Sequence, residues 1–197
     1  MEKGPPGAGK STFELIDPKI LFRELHLKGG TSFLDLGCGR GEYAIAAAEF
    51  TGEEGQIYGV DLWAGGIAAL QEQASAKGLR NLTGWVSDMR KPLPLNDRSI
   101  DVCLMAAVLH DLGEADADKT LDEVRRVLTQ EGLLAVVEFK KNEGPPGPPF
   151  RIRLAPEDIS RIVTPHGFTK RRVLEVGPYH YLITFCAHDL SQRSQGG

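Results

Sequence analysis

Two glycine-rich segments contain residue types that bind charged ligands. In one of them, Asp35 is followed by Gly37, Gly39 and Gly41 in the pattern D-x-G-x-G-x-G, between a short apolar run and an alanine-rich segment. Glycine permits positive φ and a close approach of the backbone, and the N–H groups at a helix start attract an anionic group. Open α/β sheets bind ligands at such strand-to-helix junctions. We therefore expect a ligand site at these three glycines.

The other segment, Gly4 to Thr12, reads GPPGAGKST and matches the pattern G-x-x-x-x-G-K-[ST] of phosphate-binding loops. A working phosphate loop lies between a buried strand and a helix. Here three residues precede Gly4, and Phe13 to Asp17 separate Thr12 from the next helix. We expect residues 1–12 to be a flexible leader beside the mouth of the ligand site. A phosphate-loop NTPase is the disfavoured alternative.

The composition indicates one mildly acidic domain. The 197 residues include 23 basic and 27 acidic side chains, a net charge of −4 that gives no general attraction to nucleic acid or to an anionic membrane. Cys38, Cys103 and Cys186 are widely spaced, so neither a disulfide framework nor a metal site is indicated. No apolar run approaches the ~20 residues of a membrane helix. We expect a cytoplasmic protein with no metal, no membrane partner and no nucleic-acid partner.

Periodicity and turn residues predict alternating helices and strands. A first helix, capped at Asp17-Pro18, is expected over 18–28, and a hairpin over 168–188 turns at Gly177-Pro178. The other predicted elements are a strand, loop and helix within 31–50, strands at 55–61, 81–88, 99–110 and 133–139, and helices at 65–78, 116–132 and 155–167.

This order predicts an α/β fold. We expect a single Rossmann-like domain over 13–188, with a seven-stranded, mostly parallel sheet, a C-terminal antiparallel hairpin and helices on both faces. Residues 189–197 are expected to form a disordered tail.

Acidic residues follow the next two predicted strands. Asp61 lies 20 residues beyond Gly41, which suits two vicinal ribose hydroxyls, although it could instead cap the next helix. Asp88 could accept from an exocyclic amine such as that of adenine, with Met89 beside the ring, or could serve only in a turn. A dinucleotide loop would require glycine where Glu42 stands. The pattern favours a ligand with an amino acid at one end and adenosine at the other, as in S-adenosylmethionine.

Four segments, taken in order, resemble one family: FLDLGCGRGEYA, GVD, VSDMRKPLPLNDRSIDVCLMAAVLHDL and DEVRRVLTQEGLLAVVEF. The chain is similar to class I S-adenosylmethionine-dependent methyltransferases of the type 11, ubiquinone/menaquinone-biosynthesis-like group. The resemblance implies S-adenosylmethionine as cofactor, with S-adenosylhomocysteine as product. It places the methionine end at Asp35, Gly37, Gly39, Gly41 and Ala106, the ribose at Asp61, the nucleoside beside Leu62 and the adenine at Asp88 and Met89.

The acceptor half of the site is less marked. An acceptor is expected beyond the fourth strand, where His110 could take a proton from a hydroxyl, thiol or acidic carbon, or could instead cap a helix or shield the cofactor. Substrate choice is expected in the first helix and in the loop over 140–153. The chain is predicted to methylate a small molecule by in-line displacement. A non-catalytic S-adenosylmethionine-binding partner subunit is the alternative, and the acceptor, the atom methylated and the oligomeric state stay open.

Overall fold

A computed structural model describes residues 11–187, so the expected tail and all of the expected leader except Ser11 and Thr12 lie outside the described residues. Within that range one sheet has the strand order β3-β2-β1-β4-β5-β7-β6. The strands are β1 (Ser32–Leu36), β2 (Gln56–Asp61), β3 (Leu82–Val86), β4 (Ile100–Ala106), β5 (Leu128–Phe139), β6 (Phe168–Glu175) and β7 (His180–Ala187).

The first five strands pair in parallel, and β7 runs antiparallel to both β5 and β6. This confirms the predicted mostly parallel sheet of seven strands with a C-terminal hairpin. The chain leaves β1 toward β2 on one side and returns to β4 on the other, so the strand order reverses between β1 and β4. Ligands of open α/β sheets bind in the crevice beyond the strand ends at this point.

Five α-helices within the described range cover both faces of the sheet, as predicted. They are α1 (Pro18–Glu24), α2 (Glu42–Thr51), α3 (Ala64–Ala76), α4 (Glu114–Val127) and α5 (Pro156–Val163). Residues from α1, α2 and α3 share one buried apolar cluster with the sheet, and residues from α4 and α5 share the other. None of these helices has the length and apolar character needed to span a membrane, in the part of the chain described.

Three predicted boundaries were wrong for local reasons. The first helix ends at Glu24 rather than 28, and His26 has a φ of +51° that no α-helix contains. The fourth strand ends at Ala106 rather than 110, because Ala107 turns the chain with a φ of +56°. The last helix ends at Val163 rather than 167, and a 3-10 turn that contains Pro165 follows it.

The junction of α4 and β5 also differs from the prediction. Residues 128–132 were expected to continue the helix, but they begin β5, where Leu128 pairs with Ile100 of β4. Pairing with a buried neighbouring strand outweighs helical propensity at Leu128, and residues 129–132 lie in a register shift before pairing resumes at Leu133. The Asp17 cap of α1 is confirmed, since its Oδ1 accepts from the backbone N–H groups of Lys19 and Ile20 at 2.9 and 3.3 Å.

A loop without a helix connects β3 to β4, and a pair of side chains on α4 holds it. Glu123 Oε1 accepts from the backbone N–H of Leu93 at 2.6 Å. Arg126 donates to Glu123 and to the carbonyl oxygens of Leu93 and Leu95. Asp88, which lines the crevice, lies near the start of this loop. These contacts therefore fix the segment that closes one side of the crevice.

Replacement of Gly41 by alanine is expected to destabilise the fold by about 3 kcal/mol. Gly41 has a φ of +80°, and a Cβ there would lie 2.2 Å from Cδ1 of the fully buried Leu70. Gly78, just beyond the end of α3, has a φ of +67° in a Schellman-type turn where the Leu79 N–H donates to the carbonyl oxygen of Ala74. A Cβ there has open space around it, so Gly78→Ala isolates the backbone cost of about 1 kcal/mol. Urea unfolding measures both, and equal losses would contradict the packing argument.

Candidate functional site

A cleft of about 480 Å³ opens where the strand order reverses. Its volume is in the range of sites for small organic ligands. Gly41 and His110, both predicted as site residues, lie outside its lining. The predicted residues that line it are Asp35, Gly37, Gly39, Asp61, Leu62, Asp88, Met89 and Ala106.

The glycine loop is tied to β2 through its own N–H groups. Gly37 and Cys38 both donate to the carbonyl oxygen of Val60, at 2.8 and 3.0 Å, and Gly39 donates to Asp61 Oδ2 at 2.8 Å. These three N–H groups are therefore engaged within the protein. A Cβ on Gly39 would have no heavy atom within 4 Å, so the loop turns an open backbone surface toward the cleft at this residue. Gly41 instead allows the loop to pack on Leu70, behind the cleft.

Asp61 links the loop to the helix that follows β2. Its Oδ2 accepts from Gly39, and its Oδ1 accepts from the backbone N–H of Trp63 at 2.8 Å, directly before α3. Asp61 can bond the backbone before α3 and still accept from ribose hydroxyls, because a carboxylate has about four lone-pair positions. Leu62 lies beside it with half of its surface exposed at the cleft.

Asp35 is a buried carboxyl group at the floor of the cleft. It is 1% exposed, and its Oδ2 accepts from the backbone N–H of Ala44 at 3.1 Å. Burial, with smaller contributions from the charges of Glu42 and Asp61, raises the pKa of Asp35 to about 8. In the free protein at neutral pH this carboxyl group therefore holds its proton.

Asp88 has a protein partner. Arg90 donates to both of its carboxylate oxygens, at 2.8 and 2.9 Å, and also to Asp116 at 3.0 Å. The hydrogen bond from Arg90 is the main reason that the pKa of Asp88 lies below its usual value. All three residues line the cleft, so Arg90 joins the start of the β3–β4 loop to α4 across its rim.

His110 lies behind the rim, within a 3-10 turn over Leu109–Asp111. Its side chain is 6% exposed, and its Nδ1 is 2.9 Å from Oε2 of Glu138, a fully buried residue of β5. Its Nε2 is 3.7 Å from Oδ1 of Asp111, which does line the cleft. Burial lowers the pKa of His110, but the hydrogen bond and charge of Glu138 outweigh it, so the pKa is raised.

Sequence reasoning did not assign Glu138, Thr12 or Tyr43. The signal for Glu138 was a single acidic residue inside the apolar strand LLAVVEF. Thr12 and Tyr43 line the cleft, and their hydroxyl oxygens are 2.7 Å apart. The ring of Phe13 packs edge-on against Tyr43 at 5.0 Å between centroids. The segment before α1 thus borders the mouth of the cleft, as expected for the end of the leader.

The phosphate-loop alternative concerned mainly Gly4 to Lys10, which lie outside the described residues. In the described part, Ser11 and Thr12 precede an isolated 3-10 turn over Phe13–Leu15, and α1 begins only at Pro18. A phosphate loop leads directly into its helix. The arrangement after Thr12 therefore differs from that of a phosphate-binding loop.

Comparison with known proteins gives a consistent result. A family model described as a methyltransferase domain matches residues 27–157. The chain is 32% identical over 114 residues to a 2-phytyl-1,4-naphtoquinone methyltransferase of Trichormus variabilis, covering 58% of this chain and 49% of the relative. It is 28% identical over 127 residues to a demethylmenaquinone methyltransferase of Lactobacillus johnsonii, covering 64% of this chain and 51% of the relative. It thus spans about half the length of the curated relatives it matches.

A crystal structure of a SAM dependent methyltransferase from Aquifex aeolicus has the same fold. The TM-score is 0.83 at 30% sequence identity, and the match covers 93% of this chain and 99% of the other. This chain and that methyltransferase therefore share one fold over nearly their whole lengths, including the strands that flank the glycine loop and the crevice.

Replacement of Asp35 by asparagine is expected to stabilise the protein at pH 8 by up to about 5 kcal/mol, since each pKa unit is worth about 1.4 kcal/mol, and to change little at pH 4. The pKa of Asp35 is raised on folding, so the carboxyl group costs stability as pH rises from about 4 toward 8, and asparagine does not ionise. Urea unfolding of both proteins across this range measures the difference. A difference that does not vary with pH would contradict the raised pKa.

Proposed function

Since the chain belongs to the class I S-adenosylmethionine-dependent methyltransferase family, we propose that it transfers a methyl group from S-adenosylmethionine to a small-molecule acceptor. The observation that carries the proposal is the convergence of the open Gly39 backbone, Asp35 and Asp61 on one 480 Å³ cleft, within a matched methyltransferase domain. The names of the matched relatives favour a reduced 1,4-naphthoquinone as the acceptor class. The cytoplasmic location stays a prediction from the sequence.

The residues of the cleft fit this cofactor. A buried carboxyl group at Asp35, with one hydrogen bond from the protein, would receive the ammonium group of the methionine part and lose its proton. Asp61, with lone pairs left on both oxygens, would accept from the ribose hydroxyls, and the open backbone at Gly39 lets the ligand approach closely. Met89 and Leu62 supply apolar surface for the base, and Ala106 leaves room for the methionyl chain.

Asp88 is proposed to contact the adenine amine while it keeps Arg90. The carboxylate accepts three hydrogen bonds from Arg90, which use part of its accepting capacity and hold it in one orientation. Arg90 thus orients the carboxylate of Asp88 and leaves it able to accept a further hydrogen bond from the adenine amine. When bound, the cofactor supplies a methyl group on a positively charged sulfur.

The protein's part in the reaction is alignment, exclusion of water and removal of a proton. Glu138 accepts a hydrogen bond from Nδ1–H of His110, so the free lone pair of the neutral ring lies on Nε2, which is 3.7 Å from Oδ1 of the cleft-lining Asp111. A hydroxyl proton of the acceptor would pass to Nε2. His110 is then the proposed catalytic base, and Glu138 is the residue that positions it.

Transfer is tested with the full chain, tritiated S-adenosylmethionine and a chemically reduced 1,4-naphthoquinone that carries a short prenyl chain at carbon 2. We expect tritium in the quinone product, identified by mass spectrometry. Replacement of the quinone by water is the blank. Cofactor binding without transfer to this compound or to any member of a broad acceptor panel would instead favour the non-catalytic partner subunit.

Cofactor binding is expected to depend on Asp61. S-adenosylhomocysteine should raise the melting temperature of the wild type, and Asp61→Ala should weaken its binding by at least about tenfold because the ribose contact is lost. Asp101→Ala is the matched control, since Asp101 also accepts from a backbone N–H, that of Ser32 at 2.9 Å, but lies outside the cleft lining. Isothermal titration of each variant gives the affinities. Equal affinities for the two variants would remove the ribose assignment.

His110→Ala is expected to lower kcat by about 100-fold, as for loss of a general base. The neutral ring is the active form, so the rate falls as pH drops through the pKa of His110. Glu138→Gln removes a charge that raises this pKa, and the acid limb of the rate profile should move to lower pH. His166→Asn is the control, because His166 also bonds carboxylates, but its partners Asp118 and Asp122 do not line the cleft, whereas Asp111 beside His110 does. An unmoved acid limb would refute the role of Glu138.

A further inference from the structure

The segment over 140–149, between β5 and α5, has little capacity to fold by itself. Its sequence KKNEGPPGPP contains four prolines and two glycines and no large apolar side chain. Proline has no N–H to donate, and glycine has no side chain to bury. The ordered path of this segment therefore needs a partner from elsewhere in the chain.

That partner is the guanidinium group of Arg153. Its Nε donates to the carbonyl oxygen of Pro148 at 2.9 Å. Its Nη1 and Nη2 each donate to two further carbonyl oxygens of the segment. A guanidinium has five N–H donors, so all of them are used on alternate residues of one loop. Nη1 donates to the carbonyl oxygens of Lys140 at 3.3 Å and Asn142 at 2.7 Å, and Nη2 donates to those of Gly144 at 2.6 Å and Pro146 at 2.9 Å.

The charge of Arg153 is compensated in an unusual way. The residue is 5% exposed, and no ion pair joins it to a carboxylate among the described residues. Buried charges are usually paired with an opposite charge. Here carbonyl dipoles surround the guanidinium, and the ring of Phe139 lies 5.6 Å from its central carbon. The loop conformation and the burial of Arg153 therefore depend on each other.

The loop follows the strand that carries Glu138, and none of its residues lines the 480 Å³ cleft itself. It begins immediately after Glu138 and Phe139, and the carboxylate of Glu138 contacts His110. The backbone N–H of Lys140 donates to the carbonyl oxygen of Tyr179 at 2.8 Å, which anchors the start of the loop to the hairpin. The positive charge of Arg153 acts on His110, where it opposes the rise in pKa caused by Glu138.

We propose that Arg153 is a positioning residue that holds residues 140–149 in a fixed path directly after Glu138, the partner of His110, and so contributes to acceptor selection. The sequence analysis expected substrate choice in the loop over 140–153, and five hydrogen bonds from one side chain hold most of that loop in place. The consequence for the acceptor rests on the proposed function, but the order of the loop does not. Arg153→Lys keeps the charge and loses the planar five-donor fork.

The loop is tested first, without any turnover. Cleavage of the Glu143–Gly144 bond by a glutamate-specific protease, followed by mass spectrometry, should be at least about tenfold faster in Arg153→Lys than in the wild type. Arg151→Lys, two residues away and exposed, is the matched control and should leave the rate unchanged. Unchanged cleavage in Arg153→Lys would overturn the proposal.

A second pair of variants covers the case in which Arg153→Lys does not fold. A Cβ on Gly147 would lie 2.5 Å from Cδ1 of the Phe139 ring, whereas one on Gly144 would meet nothing within 4 Å. Gly147→Ala should therefore push the loop off the Phe139 ring and accelerate the cleavage, with Gly144→Ala as its control. Each rate is divided by that of the matching unfolded peptide, because residue 144 belongs to the cleaved bond. Equal rates in the two variants would count against the proposal.

The acceptor role is tested by affinity, since a purely structural defect would affect both ligands. With S-adenosylhomocysteine present, binding of oxidised 2-prenyl-1,4-naphthoquinone should weaken at least about tenfold in Arg153→Lys, while the affinity for S-adenosylhomocysteine itself stays within twofold. Equal weakening of both affinities, or of neither, would refute the acceptor role. Failure of the wild type to bind this quinone would refute that role together with the proposed acceptor class, while the cleavage result would still report on the loop.

Discussion

The carboxylate of Asp61 is the interaction on which the arrangement of the cleft depends. It accepts one hydrogen bond from the loop that follows β1 and another from Trp63, the residue directly before α3. Two separate strand-to-helix junctions are thus connected through one side chain. Val60 adds a second connection, since its carbonyl oxygen receives the N–H groups of Gly37 and Cys38. These bonds hold the glycine loop against β2 and leave its open side toward the cleft.

The two proposed halves of the site are built by different means. The proposed donor half is assembled from backbone and short acidic side chains at adjacent strand ends, where strand pairing already sets the spacing. The proposed acceptor half depends on Glu138 of β5, which bonds His110, and on Arg153 beyond β5, which bonds its loop. Buried polar groups are costly unless they are fully bonded, so each of these partners constrains the conformation around it.

Much of the fold was predictable because burial pattern and turn chemistry agree locally. The alternation of apolar runs and helical stripes was sufficient for seven strands and for helices on both faces. The errors lie where a long-range contact outweighed local propensity. Residues 128–132 were expected to be helical, but Leu128 leaves the helix to pair with Ile100 of β4. The run beyond Ala106 is apolar yet turns away from the sheet.

The sequence by itself determined the glycine loop, the acids beyond β2 and β3 and the family, because these signals are local and their spacing follows from the length of a strand and a helix. Only the tertiary structure decided what each of these residues does. Gly41 allows the loop to pack against Leu70, and burial raises the pKa of Asp35. Glu138 meets His110 across 28 positions of the chain, and Arg153 organises a loop that has no local pattern of its own. Hydrogen bonds and desolvation depend on which distant residues share a small volume, and a linear pattern does not contain that information.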